Sequence, residues 1–541
     1  MYPQNMTKLY SNLTPRKSRI KGVNEVVVFG IQHFVLEYLI KKFNEDFFFK
    51  QERLEVEHPF YWQYEARKKS VIAEYKRHIN VDTKHIEALW DLGYLPIEIK
   101  ALDEGTLCPI GVPMLTITNT HPDFGWLVNY LETLMSCMLW QPITSATIAY
   151  EYKKLLSKYA NETTGSAEFV QWQGHDFSMR GLSSPESAIL SGMGHLLSFT
   201  GTDTIPAIYQ LEQSYAAGGL IGASVPATEH SVMCMGTKES EIETFKRLLA
   251  AYPLGLLSVV SDTWDLWKVL TEYLPALKAE IMAREGKLVI RPDSGDPVDI
   301  ICGRNTNQKD VGTAEYVYPY YKNCSTFYKE SVSENEYKGV IELLWDIFGG
   351  TINEQGYKVL DSHIGAIYGD SITLERAEQI CERLKAKGFA STNVVLGIGS
   401  YTYQYNTRDT FGFAVKATYG EVKIKDFSKY DIENGKENCR FELVECNNCS
   451  APHPTCNCGD TYYQCIEARE IFKDPITDDG TKRSKKGLLS VHHYASDVED
   501  RIYVSDQQTW EQEGQGLLKT VFKDGKLIKT TTLEEIRNKL K

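Results

Sequence analysis

The chain has 541 residues, which at roughly 150 residues per domain allows about three units, although an α/β barrel absorbs more than that as one. Its 42% hydrophobic and 24% charged content excludes a wholly disordered chain, a collagen and a small disulfide scaffold. A net charge of -13 argues against a fold built around nucleic acid, no apolar run is long enough for a membrane span, and Met1 to Lys8 lacks the apolar core of a signal peptide. The 12 cysteines, without a secretion signal, fit a reducing cytoplasm.

In chain order, Tyr2 to Lys21 is polar and basic and runs into the strand-like Glu25-Val-Val-Val-Phe-Gly30. Phe34 to Lys42 and His85 to Leu92 have helical periodicity. Leu95 to Leu102 and Val112 to Thr118 alternate like antiparallel strands, and Trp126 to Trp140 reads as a buried helix. From about residue 166 the texture changes. Short apolar runs (Leu256 to Asp262, Lys287 to Asp293, Asn393 to Gly399) end in polar or glycine turns followed by helical segments. That alternation predicts a parallel sheet or barrel with functional loops at the carboxyl ends of its strands. Residues 303–357 read as a surface insertion, and Leu517 to Leu527 as a hairpin turning at Asp524-Gly525, before a helix from Leu533. No fixed-period repeat is present. The expected class is α/β. Residues 166–400 form a barrel-like domain, while 1–165 and 401–541 build a second α/β domain with a Cys-rich insertion at about 425–468.

Several turns carry chemistry. Arg291-Pro-Asp293-Ser-Gly-Asp-Pro297 offers a guanidinium and carboxylates to a phosphorylated sugar, or is a surface turn with a local ion pair. Gly397-Ile-Gly-Ser400 exposes backbone N–H groups that can cradle phosphate, with Arg408 and Lys416 shortly after, or is an ordinary turn. The run Lys482-Arg-Ser-Lys-Lys-Gly487 is an anion contact or a solvated loop. Phe177 and Arg180, three apart, suit a flat ring and an anion. Asp203 is a binding carboxylate or a turn residue, and His230, beside Glu229, a nucleophile, an acid–base group, an anion contact or a structural histidine.

Taken together, His175-Asp-Phe, Gly201-Thr-Asp-Thr, Ser224-Val-Pro-Ala-Thr-Glu-His, Ser258-Val-Val-Ser-Asp, Ile290-Arg-Pro-Asp-Ser-Gly and Phe472-Lys-Asp-Pro closely resemble the nicotinamide phosphoribosyltransferases, among the type II phosphoribosyltransferases. The resemblance runs from Tyr2-Pro to the C-terminal hairpin. It implies transfer of phosphoribosyl from phosphoribosyl pyrophosphate to nicotinamide, a homodimer with shared sites, magnesium with the diphosphate, and ATP coupled through phosphorylation of His230. The alternatives are nicotinate as the substrate and a non-catalytic phosphosugar-binding homologue.

By the same resemblance Phe177 stacks on the pyridine ring and Asp203 accepts from the carboxamide. Arg180, His230 and Arg291 hold diphosphate; Asp293, Gly369 and Asp370 contact the ribose side; Ser400 and Arg408 bind the 5′-phosphate. His230 and Asp293 are the residues expected to carry catalysis, and Arg16, Lys416, Lys473 and Lys482 are further anion contacts. No metal ligands follow from it.

Three departures stand out. The family has an Asp-Ser-Tyr-Lys segment before the Tyr-Pro word with which this sequence opens, and the partner's tyrosine would supply the second face of the base sandwich. The family's Gly-Ser-Gly-Gly-Gly is Gly397-Ile-Gly-Ser-Tyr401 here, and Ala414 replaces a family serine. Cys446-x2-Cys449 and Cys456-x-Cys458 offer four thiolates to a structural zinc, or are free thiols on an irregular insertion.

Overall fold

The computed structural model describes the chain except residues 1, 4, 49–60, 80, 306–310, 313–314, 320–326, 370, 425–438, 446–460, 474–475, 477–484 and 497–499. Cys446, Cys449, Cys456, Cys458, Asp370 and Lys482 therefore lie outside the described residues. The chain divides into two compact units, one of residues 145–213 and 217–406 and the other of 1–144, 214–216 and 407–541.

The unit of 145–213 and 217–406 is built on six parallel strands: β1 (Gly174–Asp176), β2 (Gly201–Thr202), β3 (Leu254–Val260), β4 (Glu285–Arg291), β5 (Ile364–Tyr368) and β6 (Val394–Ile398). Their order is β2-β1-β6-β5-β4-β3. The two edges are joined. Ala223 bridges to Gly201 on β2 and Ala227 bridges to Ser258 on β3, both in parallel sense. Residues 223–227 thus span the gap and close the sheet into a barrel, which removes its free edges.

Buried apolar runs such as Ile364 to Tyr368 and Leu396 to Ile398 are what a parallel sheet covered on its outer face requires. The helix Leu374–Ala386 shows how the cover forms. Thr373 caps it by accepting from Arg376 N (3.2 Å), and Ala377, Ile380, Cys381 and Leu384 make one buried stripe.

Residues 303–357 are not wholly a surface insertion. Ser333 and Glu336 form a capping box for the helix Glu334–Phe348, which buries Val340, Ile341, Leu343 and Leu344. The hairpin of Gly350–Ile352 and Lys358–Leu360 follows. The polar stretches flanking that helix hid its stripe from a reading by texture.

The other unit carries an eight-stranded antiparallel sheet. Its order is Cys439–Glu445, Thr461–Glu470, Ala414–Ile424, Met6–Thr14, Leu115–Asn119, Ile97–Ala101, Lys519–Lys523 and Lys526–Leu527. Both ends of the sequence thus enter one sheet, and the hairpin turns at Asp524-Gly525 as its sequence predicts. Beside it, Tyr10 packs edge-on to Trp510 (5.9 Å between ring centres) over buried Leu488 and Leu489. Near the end of Ile97–Ala101, the fully buried Glu104 carboxylate accepts from Gly30 N (3.2 Å) and Gln32 N (2.7 Å). Burial pushes its pKa up to about 7.

Candidate active site

Because β1 to β6 are parallel, the turns after them open on one side of the barrel. Phe177, Arg180, Asp203, Arg291, Asp293 and Gly369 come from the ends of four of these strands or the turns after them, His230 follows the closing segment, and all line one cavity of about 860 Å³. A second cavity of about 450 Å³ runs into the barrel and shares Phe177, Asp203 and Arg291 with the first. Its further lining, Trp172, Val289, Ala366, Ile367 and Val395 among others, is largely apolar. A flat ring entering there leaves water while the phosphate-bearing part of a ligand stays among the cations.

Phe177 donates its N–H to Ile398 O (3.0 Å), which ties the β1 turn to the end of β6. Its ring lies so close to Gly397 that a β-carbon there would sit 2.8 Å from Cδ2. The same β-carbon would sit 2.6 Å from Tyr368 O, so Gly397 makes room for both the β5 backbone and the aromatic ring, a reason for this glycine that a phosphate-loop reading does not contain. At Gly181 a β-carbon would fall 2.1 Å from Ser400 Oγ, so this glycine seats the β6 turn against the β1 turn. Ser400 is at that contact and is not among the residues lining the large cavity.

Asp203 follows β2, and its N–H donates to Asp176 O (2.9 Å). Its Oδ1 accepts from both His175 Nε2 (2.9 Å) and Ser224 Oγ (2.6 Å). No hydrogen bond to Oδ2 is found among the described residues. Burial works against the charge. The bonds from His175 and Ser224 and the fields of His175 and Arg291 outweigh it and hold the carboxyl below its ordinary pKa. Asp203 is an anion at neutral pH with one oxygen committed to the protein.

In the same cavities, Arg291 Nη2 donates to Thr228 O. Burial lowers the guanidinium's pKa, Asp293 and Asp203 oppose the shift and Arg180 adds to it; the group stays cationic. His230 opens the helix His230–Met235. Its Nδ1 is 3.0 Å from Thr263 Oγ1 and its Nε2 is 3.7 Å from Asp293 Oδ2. Asp262 anchors this corner: Oδ2 accepts from Asp293 N (2.8 Å) and Ser294 N (2.7 Å).

Reading the sequence singled out neither Asp262 nor Thr263, nor the roles of His175 and Ser224. Asp262 had a signal, an acidic residue directly after an apolar run. Ser224 and Thr263 had none, because hydroxyls become specific partners only once strands far apart in sequence lie side by side.

Arg408 belongs to the other unit, where it pairs with Asp409 (3.3 Å). There Lys416 is held below its ordinary pKa by burial and by Arg16, Lys473 and Arg408, against the opposing field of Glu132. The cations that the sequence suggested as anion contacts are thus close enough to act on one another, and a bound anion would relieve their repulsion.

Residues 172–433 match the model of the nicotinate phosphoribosyltransferase (NAPRTase) family. Over its whole length the chain is 46% identical to a nicotinamide phosphoribosyltransferase of Acinetobacter baylyi, of which it covers 94%. It is 42% identical to that of Mycoplasma pneumoniae over 60% of this chain and 65% of the relative. It is 31% identical to that of Xanthomonas campestris pv. campestris over 82% and 79%.

Proposed function

Since the chain belongs to the nicotinamide phosphoribosyltransferase family, we propose an assignment of its residues to the steps of that reaction. The enzyme transfers phosphoribosyl from phosphoribosyl pyrophosphate to nicotinamide, giving nicotinamide mononucleotide and diphosphate in NAD salvage. The observation that carries the assignment is one cavity lined by an aromatic ring, an anionic carboxylate and two arginines.

The pyridine nitrogen attacks ribose C1 with its lone pair as the bond from C1 to the diphosphate oxygen breaks. The departing electron pair goes to diphosphate, and the new ring nitrogen carries the positive charge. No proton must leave the nucleophile, so the protein's work is orientation and charge. Phe177 stacks on the ring and Asp203 Oδ2 accepts from the carboxamide NH2. Arg180, Arg291 and His230 take the growing charge on diphosphate. Asp293, with Gly369, faces the ribose, where cationic character develops at C1. Ser400 and Arg408 bind the 5′-phosphate, supported by Arg16, Lys416 and Lys473. Asp203 repels the carboxylate of nicotinate, which favours the amide.

Magnesium would accompany the diphosphate. The described residues contain no cluster of three or more His, Cys, Asp or Glu suited to hold an ion alone, whereas Asp293 lines the cavity beside Arg291. That donor set suits an ion ligated mainly by diphosphate oxygens, with Asp293 as the protein's contribution, and when bound the ion neutralises leaving-group charge.

ATP couples through His230. With Nδ1–H donated to Thr263 Oγ1, the Nε2 lone pair faces the cavity. It attacks the γ-phosphorus, and the bond to ADP oxygen breaks as ADP leaves. The reading includes a homodimer in the cytoplasm; the homodimer is supported by large apolar side chains exposed between residues 205 and 235: Ile205, Tyr209, Leu220 and Met235. No helix among the described residues is long and apolar enough to cross a membrane.

The test is product formation from phosphoribosyl pyrophosphate with nicotinamide and nicotinate assayed side by side, with and without ATP. Mononucleotide from nicotinamide at far lower concentration than from nicotinate is expected. Preference for nicotinate would remove the assignment of Asp203.

A further inference from the structure

Serving both diphosphate and ATP places opposite demands on one nitrogen of His230. To hold diphosphate, Nε2 must present an N–H; to take the γ-phosphoryl of ATP, it must present a lone pair. The neighbours of the ring decide whether it can do both. Nδ1 is 3.0 Å from Thr263 Oγ1, the ring's only hydrogen-bond partner among the described residues. Nε2 is 3.7 Å from Asp293 Oδ2, too far for a hydrogen bond. A hydroxyl donates or accepts, whereas a carboxylate only accepts. The same cavities hold the contrasting case, since the Asp203 carboxylate requires a hydrogen on His175 Nε2 and leaves that ring no choice of tautomer while neutral.

The distance between His230 and Thr263 is built into β3. Two residues before His230, Thr228 N donates to Ser258 O (3.0 Å) and Thr228 Oγ1 accepts from Val260 N (2.9 Å). Just beyond the strand, Ser261 N donates to Arg291 O (3.0 Å), and Asp262 Oδ2 accepts from Asp293 N (2.8 Å) and Ser294 N (2.7 Å). One short stretch, residues 258–263, thus fixes the backbone leading to His230, the hydroxyl that faces its Nδ1 and the turn that carries Asp293.

We infer that Thr263 is a positioning residue for ATP coupling: its hydroxyl holds the His230 ring and reverses its own hydrogen bond as the ring changes role, so that Nε2 serves diphosphate and phosphoryl in turn. The inference rests on the reading that ATP phosphorylates His230. With the Thr263 O–H donated to Nδ1, Nε2 carries the hydrogen and presents it to diphosphate. With Nδ1–H donated to Oγ1, Nε2 carries the lone pair. Nε2 then bonds to the γ-phosphorus as the bond from phosphorus to the ADP oxygen breaks, and the electron pair of that bond leaves with ADP. Nδ1 keeps its hydrogen throughout, and the positive charge gained by the ring makes it a stronger donor to Oγ1. The phosphoryl group therefore arrives on Nε2 alone.

The experiment reads the position of the phosphoryl group as well as its rate of arrival. The full chain is incubated with magnesium and ATP radiolabelled on the γ-phosphorus, then quenched and digested in alkali. Acid-labile label is assigned to Nε2- or Nδ1-phosphohistidine by chromatography against both synthetic isomers. The wild type should carry Nε2-phosphohistidine alone. Thr263→Val keeps the shape and removes the hydroxyl. Its labelling should slow by about ten- to a hundredfold, the worth of a hydrogen bond to a charged group, and part of the label should move to Nδ1. Thr263→Ser keeps the hydroxyl and should keep both rate and position. A role in packing alone predicts the reverse order, since valine matches the shape of threonine better than serine does. Wild-type label on Nδ1 would overturn the inference, and so would Thr263→Val labelled on Nε2 alone at the wild-type rate. Thr263→Ala decides in its place should Thr263→Val not fold. Label on wild-type Nε2 that both variants retain removes only the role of Thr263. No acid-labile label on a wild type that ATP still stimulates removes the phosphohistidine reading as well.

Discussion

Glu104 in the antiparallel unit and Asp203 in the parallel one are both carboxylates set among hydrogen-bond donors. They differ in how much their donors leave over. Glu104 is saturated by the backbone N–H groups of Gly30 and Gln32 and the Tyr215 hydroxyl, both its oxygens are in use, and burial drives its pKa up to about 7. Asp203 is held by two side chains on a single oxygen, and those bonds with the nearby cations carry its pKa below the ordinary value. The first group is finished within the fold. The second is left with an unused acceptor at the wall of a cavity. A buried carboxylate therefore marks a site through what remains unsatisfied and what holds it ionised, more than through burial itself.

The comparison predicts that damage on the Asp203 side changes catalysis while damage on the Glu104 side changes stability. The largest effect should come from Arg291→Ala, which removes a cation from the diphosphate wall. It should lower kcat/KM by about 100- to 1000-fold, in steady-state assays on protein with an unchanged circular dichroism spectrum. Next is Glu104→Ala, which strands the N–H groups of Gly30 and Gln32 and the Tyr215 hydroxyl. About 2 to 3 kcal/mol of stability should be lost in urea unfolding, with kcat per folded molecule preserved. His230→Ala should abolish ATP stimulation and leave some basal turnover; stimulation persisting in that variant would end the phosphohistidine reading.

The last effect concerns pH, and its sign differs between the two carboxylates. The folded-state pKa of Glu104 lies above its ordinary value, so the folded protein binds the extra proton. Its contribution to stability is fully present below about pH 4.5 and is lost as pH rises to about 7, by about 3 kcal/mol at most. For Asp203 the folded pKa is depressed, so its contribution is present at neutral pH and is lost in acid. Glu104→Gln should therefore lose less stability than the wild type between pH 5 and pH 8, compared by urea midpoints.

Much of the barrel was legible because its parallel strands write themselves as short apolar runs ending in polar turns. Leu256 to Asp262 and Lys287 to Asp293 overlap β3 and β4, and Asp293 in the turn after β4 lines the cavity. The antiparallel pair Ile97–Ala101 and Leu115–Asn119 was equally plain from alternation. The closing bridges of residues 223–227 were not, since isolated bridges leave no periodic trace. Nor was the shared use of Asp203 Oδ1, which depends on His175 and Ser224 meeting from different strands and turns. Gly397 shows a subtler gap: its sequence context suggested a phosphate loop, while its local reason is the close approach of Tyr368 O and the ring of Phe177.

The central claim is that Asp203 makes this a nicotinamide enzyme, and the most direct test is the preference of Asp203→Ala. The wild type and Asp203→Ala are assayed at matched concentration with phosphoribosyl pyrophosphate and either nicotinamide or nicotinate. The account predicts a strong wild-type preference for nicotinamide that shrinks by about tenfold or more in the variant, the equivalent of roughly 1.4 kcal/mol of discrimination. An undiminished preference in a folded, active Asp203→Ala enzyme would contradict it.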